Sequence, residues 1–376
     1  MNDSIIYADH AATTRLSDEA YQAMRPFFQE IFSNASQSYS FARPARKALM
    51  TAREMIAEQI RARPDEIYFT SGGTESDNWA IKCAALSPTQ EDRRTILTSA
   101  IEHHAVLNSC ATMERQGFSV NRLPVDGNGV LTENVLLSAL NSDARLVSIM
   151  LANNEVGTIE PVQRLCALAH KYGALFHTDA VQAVGRIPVD VRELGVDFLS
   201  ASAHKFYGPK GIGFLYVRDG VSLDAFHDGG KQEHGLRAGT ENIAAIVGMA
   251  YALKSCCQAL ENEALHLQGL EKLLLEELRG LDFIRNGSEK RLPGVISLSF
   301  RGVSGETLLH RLDLMKILVS TGSACNSENP ELSHVLSAMG VPREYAMGTI
   351  RISLGQENGA DDIYRIANAI RRIIVA

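Results

Sequence analysis

Short apolar runs separated by stretches of helical periodicity recur along the first two thirds of the chain, and this alternation leaves few folds open. Ile67-Tyr68-Phe69-Thr70 reads as a strand, with helical apolar spacing from Thr51 to Arg61 and the turn signal Pro64-Asp65-Glu66 before it. A helix follows from about Thr74. Arg94 to Thr98, Arg145 to Leu151, Ala174 to Thr178 and Asp197 to Ala201 repeat the strand pattern, and Pro161 and Gly173 bracket a helix between two of them. Strands alternating with helices predict an α/β fold whose sheet is largely parallel and covered on both faces. Ligands of such sheets gather at the carboxyl ends of the strands. Ser71, Asn154, Asp179 and Lys205 all fall just beyond those ends.

Ile212 to Val217 adds a strand, and from about Thr240 to Leu278 the pattern turns helical with one brief break in polarity. Beyond it, Val295 to Phe300, Leu318-Val319 and Ile350 to Leu354 are strand-like. Gly305 to Leu312, Glu331 to Met339 and Ala360 to Ile374 are helix-like, which predicts a small α+β domain. With 376 residues, 45% apolar and 22% charged, the chain suffices for one large and one smaller domain. The expected division is 15–255 for the large domain, with 1–14 and 256–376 forming the small one. There is no internal repeat or low-complexity tract.

A net charge of −7 and the lack of a basic run argue against a general nucleic-acid or membrane-surface binder. No apolar stretch reads as a membrane span, and Met1-Asn2-Asp3-Ser4 lacks the layout of a signal peptide, so the expected location is the cytoplasm. Six cysteines, at 83, 110, 166, 256, 257 and 325, form neither a disulfide framework nor a paired metal spacing. Cys325 alone lies in a run of small polar residues, Ser320 to Ser327, that reads as an exposed, mobile loop.

Ser202-Ala203-His204-Lys205 follows a strand and lies 26 positions after Asp179. Pyridoxal phosphate requires an amine for its aldehyde carbon, a carboxylate for its ring nitrogen, and NH and hydroxyl donors for its phosphate. Lys205, Asp179 and the turn Ser71-Gly72-Gly73-Thr74 supply all three, the last at a helix start whose free NH groups face an anion. Each has a plainer reading: a surface salt bridge for the lysine, a helix N-cap for the aspartate, an ordinary turn for the glycines. Gln182, three residues after Asp179, can reach the ring hydroxyl. His103 or His104 can stack on a ring and relay protons, or be satisfied locally; their spacing does not suit a metal. Arg351 can clamp an α-carboxylate or form a structural ion pair.

Ordered motifs run nearly end to end: Tyr7-Ala8-Asp9-His10-Ala11-Ala12-Thr13-Thr14, Phe69 to Asn78, Glu102-His103-His104-Ala105-Val106, Asn153-Asn154-Glu155-Val156-Gly157, His177 to Gln182, Ser202 to Lys205, Arg237-Ala238-Gly239-Thr240-Glu241-Asn242 and Gly322-Ser323-Ala324-Cys325. By these the chain resembles the cysteine desulfurases of the NifS and IscS kind, within the class V, fold type I pyridoxal phosphate enzymes. The resemblance implies a large domain with a mostly parallel seven-stranded sheet, and a small C-terminal domain carrying the catalytic cysteine loop. It implies Lys205 as the cofactor lysine, His103 as the stacking imidazole, Asp179 and Gln182 as ring contacts, and Asn154 beside cofactor and substrate. Gly73, Thr74, Ser202 and His204 would hold the phosphate, joined by Thr240 from a neighbouring subunit of a homodimer with shared active sites. Arg351 would bind the carboxylate of L-cysteine. Cys325 would take the sulfur as a persulfide, leaving alanine, and pass it to an acceptor protein for iron-sulfur cluster assembly or tRNA thiolation. No resident metal is implied, although Cys325 could transiently ligate an iron-sulfur cluster.

Two departures stand out. Asn34-Ala35-Ser36-Gln37-Ser38-Tyr39 replaces the family's Asn-Pro-Ser-Ser and following histidine, and the sequence stops at Ala376 without the longer tail on which some relatives dock an iron-sulfur scaffold. Two other activities share Lys205 and Asp179: a selenocysteine lyase or small-substrate aminotransferase of the same fold, and a pyridoxal phosphate-bearing scaffold without turnover. An aminotransferase needs a keto acid and tolerates loss of Cys325. A scaffold carries a cofactor absorbance that cysteine does not alter.

Overall fold

The computed structural model describes residues 5–87, 92–321 and 332–375. Its strands are β1 (Ile6–Tyr7), β2 (Ile67–Thr70), β3 (Thr95–Ser99), β4 (Ser119–Leu123), β5 (Ala144–Ser148), β6 (Leu175–Asp179), β7 (Phe198–Ser202), β8 (Gly213–Val217), β9 (Phe283–Asn286), β10 (Val295–Phe300), β11 (Ile317–Leu318) and β12 (Thr349–Ser353). Seven of them form one sheet in the order β2-β8-β7-β6-β5-β3-β4, with β8 alone reversed. The sheet is buried on both faces, and its side chains divide with the period of two that a pleat imposes. Leu97, Val147, Phe176, Leu199 and Phe214 enter the larger core, whereas Ile96, Leu146, Phe198 and Leu215 pack with Trp79 of the helix Gly73–Leu86 on the other side.

The reversal of β8 matters for the site. The chain leaves the carboxyl end of β7, makes the short turn Ala203–Lys205 and returns antiparallel, with Ala203 N–H bonded to the Ile212 carbonyl (3.1 Å). Lys205 is thereby held at the mouth of the sheet.

A second core is built on β12-β10-β9, an antiparallel sheet backed by the helices Gly305–Leu314 and Ala360–Val375. The N-terminal segment joins it: β1 lies parallel to β11, and Asp9 bridges to Ser353. One 35-residue helix, Ile243–Glu277, serves both cores, with Ile246, Met249 and Leu253 in the larger and Leu267, Leu270 and Leu274 in the smaller.

Several sequence expectations change. The break in polarity between Thr240 and Leu278 does not interrupt the helix, because its buried face passes from one core to the other. That helix is long and apolar enough to cross a membrane, contrary to the expectation of no such stretch; its apolar residues are used in the two protein cores. The run Arg145 to Leu151 is strand only to Ser148, after which it turns toward the site. β4 is absent from the sequence reading because, at the sheet edge, Ser119 to Arg122 are mostly polar and exposed.

Candidate active site

The carboxyl ends of β2, β6 and β7 surround a cavity of about 280 Å³ lined by Gly73, Thr74, His103, Asn154, Asp179, Gln182, Ser202, His204, Lys205 and Arg351. All the sequence-predicted site residues meet there except two. Thr240 is exposed and outside this cavity. Cys325, with the loop expected around it, lies outside the described residues.

Lys205 Nζ donates to the carbonyls of Ala11 (2.8 Å) and Ala12 (2.7 Å), with no carboxylate partner among its hydrogen bonds. Burial, followed by the nearby Arg351 and Arg186 charges, lowers its pKa to about 8. An amine in that range has a useful neutral fraction near physiological pH, as addition to a carbonyl requires.

Asp179 ends β6, and its Oδ1 accepts from Val181 N–H at 2.9 Å, which orients the carboxyl at the strand end. Burial, then the neighbouring Asp77 carboxyl, raises its pKa to about 7. Three residues on, Gln182 Nε2 donates to the Ala11 carbonyl (2.9 Å), while its buried Oε1 lacks a partner. His103 caps the helix His104–Arg115, Nδ1 accepting from Ala105 N–H (3.1 Å), so the neutral ring carries its proton on Nε2. The ring opens onto the cavity, yet surrounding protein desolvates it and lowers its pKa below the ordinary imidazole value.

At the other end, Gly72 adopts φ +147°, and a Cβ on Gly73 would lie 2.5 Å from Val181 Cγ2. Glycine therefore permits the start of Gly73–Leu86 to lie against the turn after Asp179. The first-turn NH groups of this helix, with Thr74 and Ser202 hydroxyls, form an anion cradle. His204 Nδ1 lies 3.1 Å from Thr13 Oγ1, and burial together with Lys205 and Lys210 holds the ring near pKa 4, hence neutral.

Arg351 projects from β12. Nη1 donates to the Asn154 carbonyl (2.9 Å) and Nη2 to Asp9 Oδ1 (2.8 Å), leaving the buried Nε without a partner. Asn153 holds this loop in shape, its Oδ1 accepting from the NH groups of Glu155 (2.8 Å) and Val156 (3.0 Å). The orphaned Gln182 Oε1 and Arg351 Nε match a hydroxyl-bearing ring and a carboxylate, so the residues fit pyridoxal phosphate and an amino acid.

Asp9 and Asp77 were part of recognised motifs but had no role in the sequence reading. Asp77 shares a helix face with Gly73, Ala80 and Ala84, all buried. An acidic residue on an apolar face was its signal. Asp9 offered none, since its partner is 342 residues away.

The class-V aminotransferase family matches residues 6–366. A cysteine desulfurase IscS from Dictyoglomus turgidum is 49% identical over 372 residues, 98% of this chain and 94% of the relative. One from Methanosarcina thermophila is 43% identical over 371 residues, covering 98% and 92%. Among solved structures, a NifS-like protein superposes with a TM-score of 0.93 at 39% identity, covering 99% of this chain and 100% of that one. SspA, solved in complex with cysteine, gives 0.82 at 35% identity, covering 93% and 98%. Enzymes of this class depend on pyridoxal phosphate, whose requirements the cavity meets residue by residue. The chain belongs to the class-V aminotransferase family and, within it, to the cysteine desulfurases of the IscS and NifS kind.

Proposed function

We propose that this protein takes the sulfur of L-cysteine onto Cys325 as a persulfide, releases L-alanine, and hands the sulfur to an acceptor protein. The observation that supports this most is the convergence of Lys205, Asp179, Gln182 and Arg351, from three separate segments, on one cavity. Bound there, pyridoxal phosphate withdraws electrons from the substrate's carbon skeleton and makes its C–S bond cleavable. Lys205 would hold the cofactor through its aldehyde carbon and, as a free amine of lowered pKa, would move protons as a base. Asp179 would pair with the ring nitrogen, Gln182 with the ring hydroxyl, and His103 would cover the ring. Gly73, Thr74, Ser202 and His204 would hold the phosphate, and Arg351 with Asn154 would orient the substrate carboxylate.

The acceptor thiol is Cys325. Its thiolate attacks the substrate sulfur, an S–S bond forms as the C–S bond breaks, and the C–S electron pair stays with carbon, which is protonated and leaves in alanine. The other five cysteines support this choice: Cys83, Cys110, Cys166 and Cys256 are buried, Cys257 is half-buried, and burial raises all five thiols above their ordinary range. Free thiols at the five cysteines among the described residues also suit a reducing compartment, the cytoplasm. Thr240, exposed and away from its own chain's cavity, suits a homodimer in which it reaches the partner's phosphate. The acceptor is an iron-sulfur scaffold or a tRNA-thiolation enzyme.

Mass spectrometry after cysteine treatment tests the reaction. One added sulfur on the peptide containing Cys325 is expected, with alanine formed and no keto acid required; turnover that survives Cys325→Ala overturns it. Borohydride reduction followed by digestion is expected to place the pyridoxyl label on Lys205.

A further inference from the structure

Asp77 has no part in the chemistry above, yet it is 1% exposed, lines the cavity, and leaves Oδ1 without a hydrogen-bond partner. Its surroundings come from several elements. From β6, His177 places Nε2 at 3.5 Å from that oxygen. From β7, Ser200 Oγ lies 3.0 Å from the same nitrogen, and from β5, Ser148 Oγ lies 2.8 Å from Nδ1. His177 is wholly buried, and desolvation holds it near pKa 4, so Asp77 faces a neutral imidazole, oriented from behind by Ser148, and the Ser200 hydroxyl. Asp179 and His103 complete the surroundings: the donor atoms of Asp77, His103 and Asp179 all lie within 4.8 Å of one another.

Two carboxylates this close in a buried site ionise together only at a large penalty; His103 and Lys205 face Asp179 and ease its charge, whereas Asp77 faces the neutral His177. Burial raises each to about 7; for Asp179 the Asp77 charge adds to burial and His103 opposes it. The two therefore titrate as a pair that shares a proton around neutrality.

We propose that Asp77 is a positioning residue that keeps the proton of this pair, so that Asp179 is the carboxylate free to meet a positively charged ring nitrogen. The inference rests on the placing of the cofactor ring at Asp179. A ring N–H⁺ beside Asp179 favours its ionised form, and the proton stays on Asp77, where a neutral shell suits a neutral carboxylic acid. The site then presents one negative charge to the ring instead of two.

Carbon-13 NMR of protein labelled at the aspartate carboxyls, titrated with and without pyridoxal phosphate, tests this. In cofactor-free protein both carboxyls are expected to titrate together near neutral pH. On loading at neutral pH, Asp179 is expected to ionise while Asp77 remains protonated. An Asp77 that titrates in the ordinary carboxylate range in cofactor-free protein overturns the inference, and this measurement needs no variant. If the paired titration is present but pyridoxal phosphate leaves both signals unchanged, the ring placement fails and the role of Asp77 falls with it. Asp77→Asn is expected to lower the proton affinity of Asp179 at least tenfold; an unchanged midpoint also overturns the inference.

Discussion

Lys205 shows how little of a residue's chemistry is its own. Its lowered pKa comes from burial, and then from the charges of Arg351 and Arg186 nearby. At about pH 7.5, an amine of pKa near 8 has roughly a hundredfold more neutral form than an ordinary lysine. The rate at which cofactor-free protein captures pyridoxal phosphate should accordingly rise with a midpoint near pH 8. Arg351→Ala should move that midpoint upward by removing a like charge, and stopped-flow absorbance across pH reads both. The stability linkage has a definite sign. Between about pH 8 and the ordinary lysine range the unfolded chain binds a proton that the folded chain does not, so stability rises with pH there. Lys205→Met should stabilise cofactor-free protein by about 3 kcal/mol at neutral pH, with the gain vanishing above the ordinary lysine pKa, as denaturant titrations would show. The lysine, its aspartate and the glycine turn were legible in sequence because each follows a strand end. Asp77 and Asp9 were not, because their partners are defined only by the folded sheet and by the return of β12.

Among the elements, the segment following β8 depends on an ion pair that no local pattern announces. Arg53 on the helix Arg43–Gln59 makes two bonds to Glu233 (2.8 and 2.6 Å), and Glu233 also accepts from Phe69 N–H in β2 (2.9 Å). Glu233 sits at φ +45° with its side chain 3% exposed, so the pair fixes a strained backbone that leads to Arg237. Arg237 in turn pairs with Glu75 on the phosphate-side helix (2.9 Å). Arg53→Ala strands a buried carboxylate and should cost about 3–5 kcal/mol, visible as a marked fall in the chemical-denaturation midpoint. Central strands were readable because both faces are apolar. The edge strand β4 was not, since an edge position relaxes the need for apolar side chains.

Across the molecule, the helix Ile243–Glu277 ties the two cores together. Cys256 is its last residue in the larger core and Leu267 its first in the smaller, so the intervening turns carry the mechanical link. Ala259→Pro removes a backbone bond there and costs about 3 kcal/mol or more. Calorimetry should then resolve two transitions where the parent protein gives one. A sequence pattern reports a helix but not which core each of its turns enters, and the brief break in polarity falls where the buried face changes core. The segment from Asp9 to Thr14 bears on how the enzyme is made. Its carbonyls hold Lys205 and Gln182, its Asp9 holds Arg351, and it is itself fastened to Ser353 through the NH groups of His10 (3.0 Å) and Ala11 (2.9 Å). The segment thus waits for a strand synthesised 342 residues later. A nascent chain has no finished pocket in which to trap a reactive aldehyde until β12 has been made.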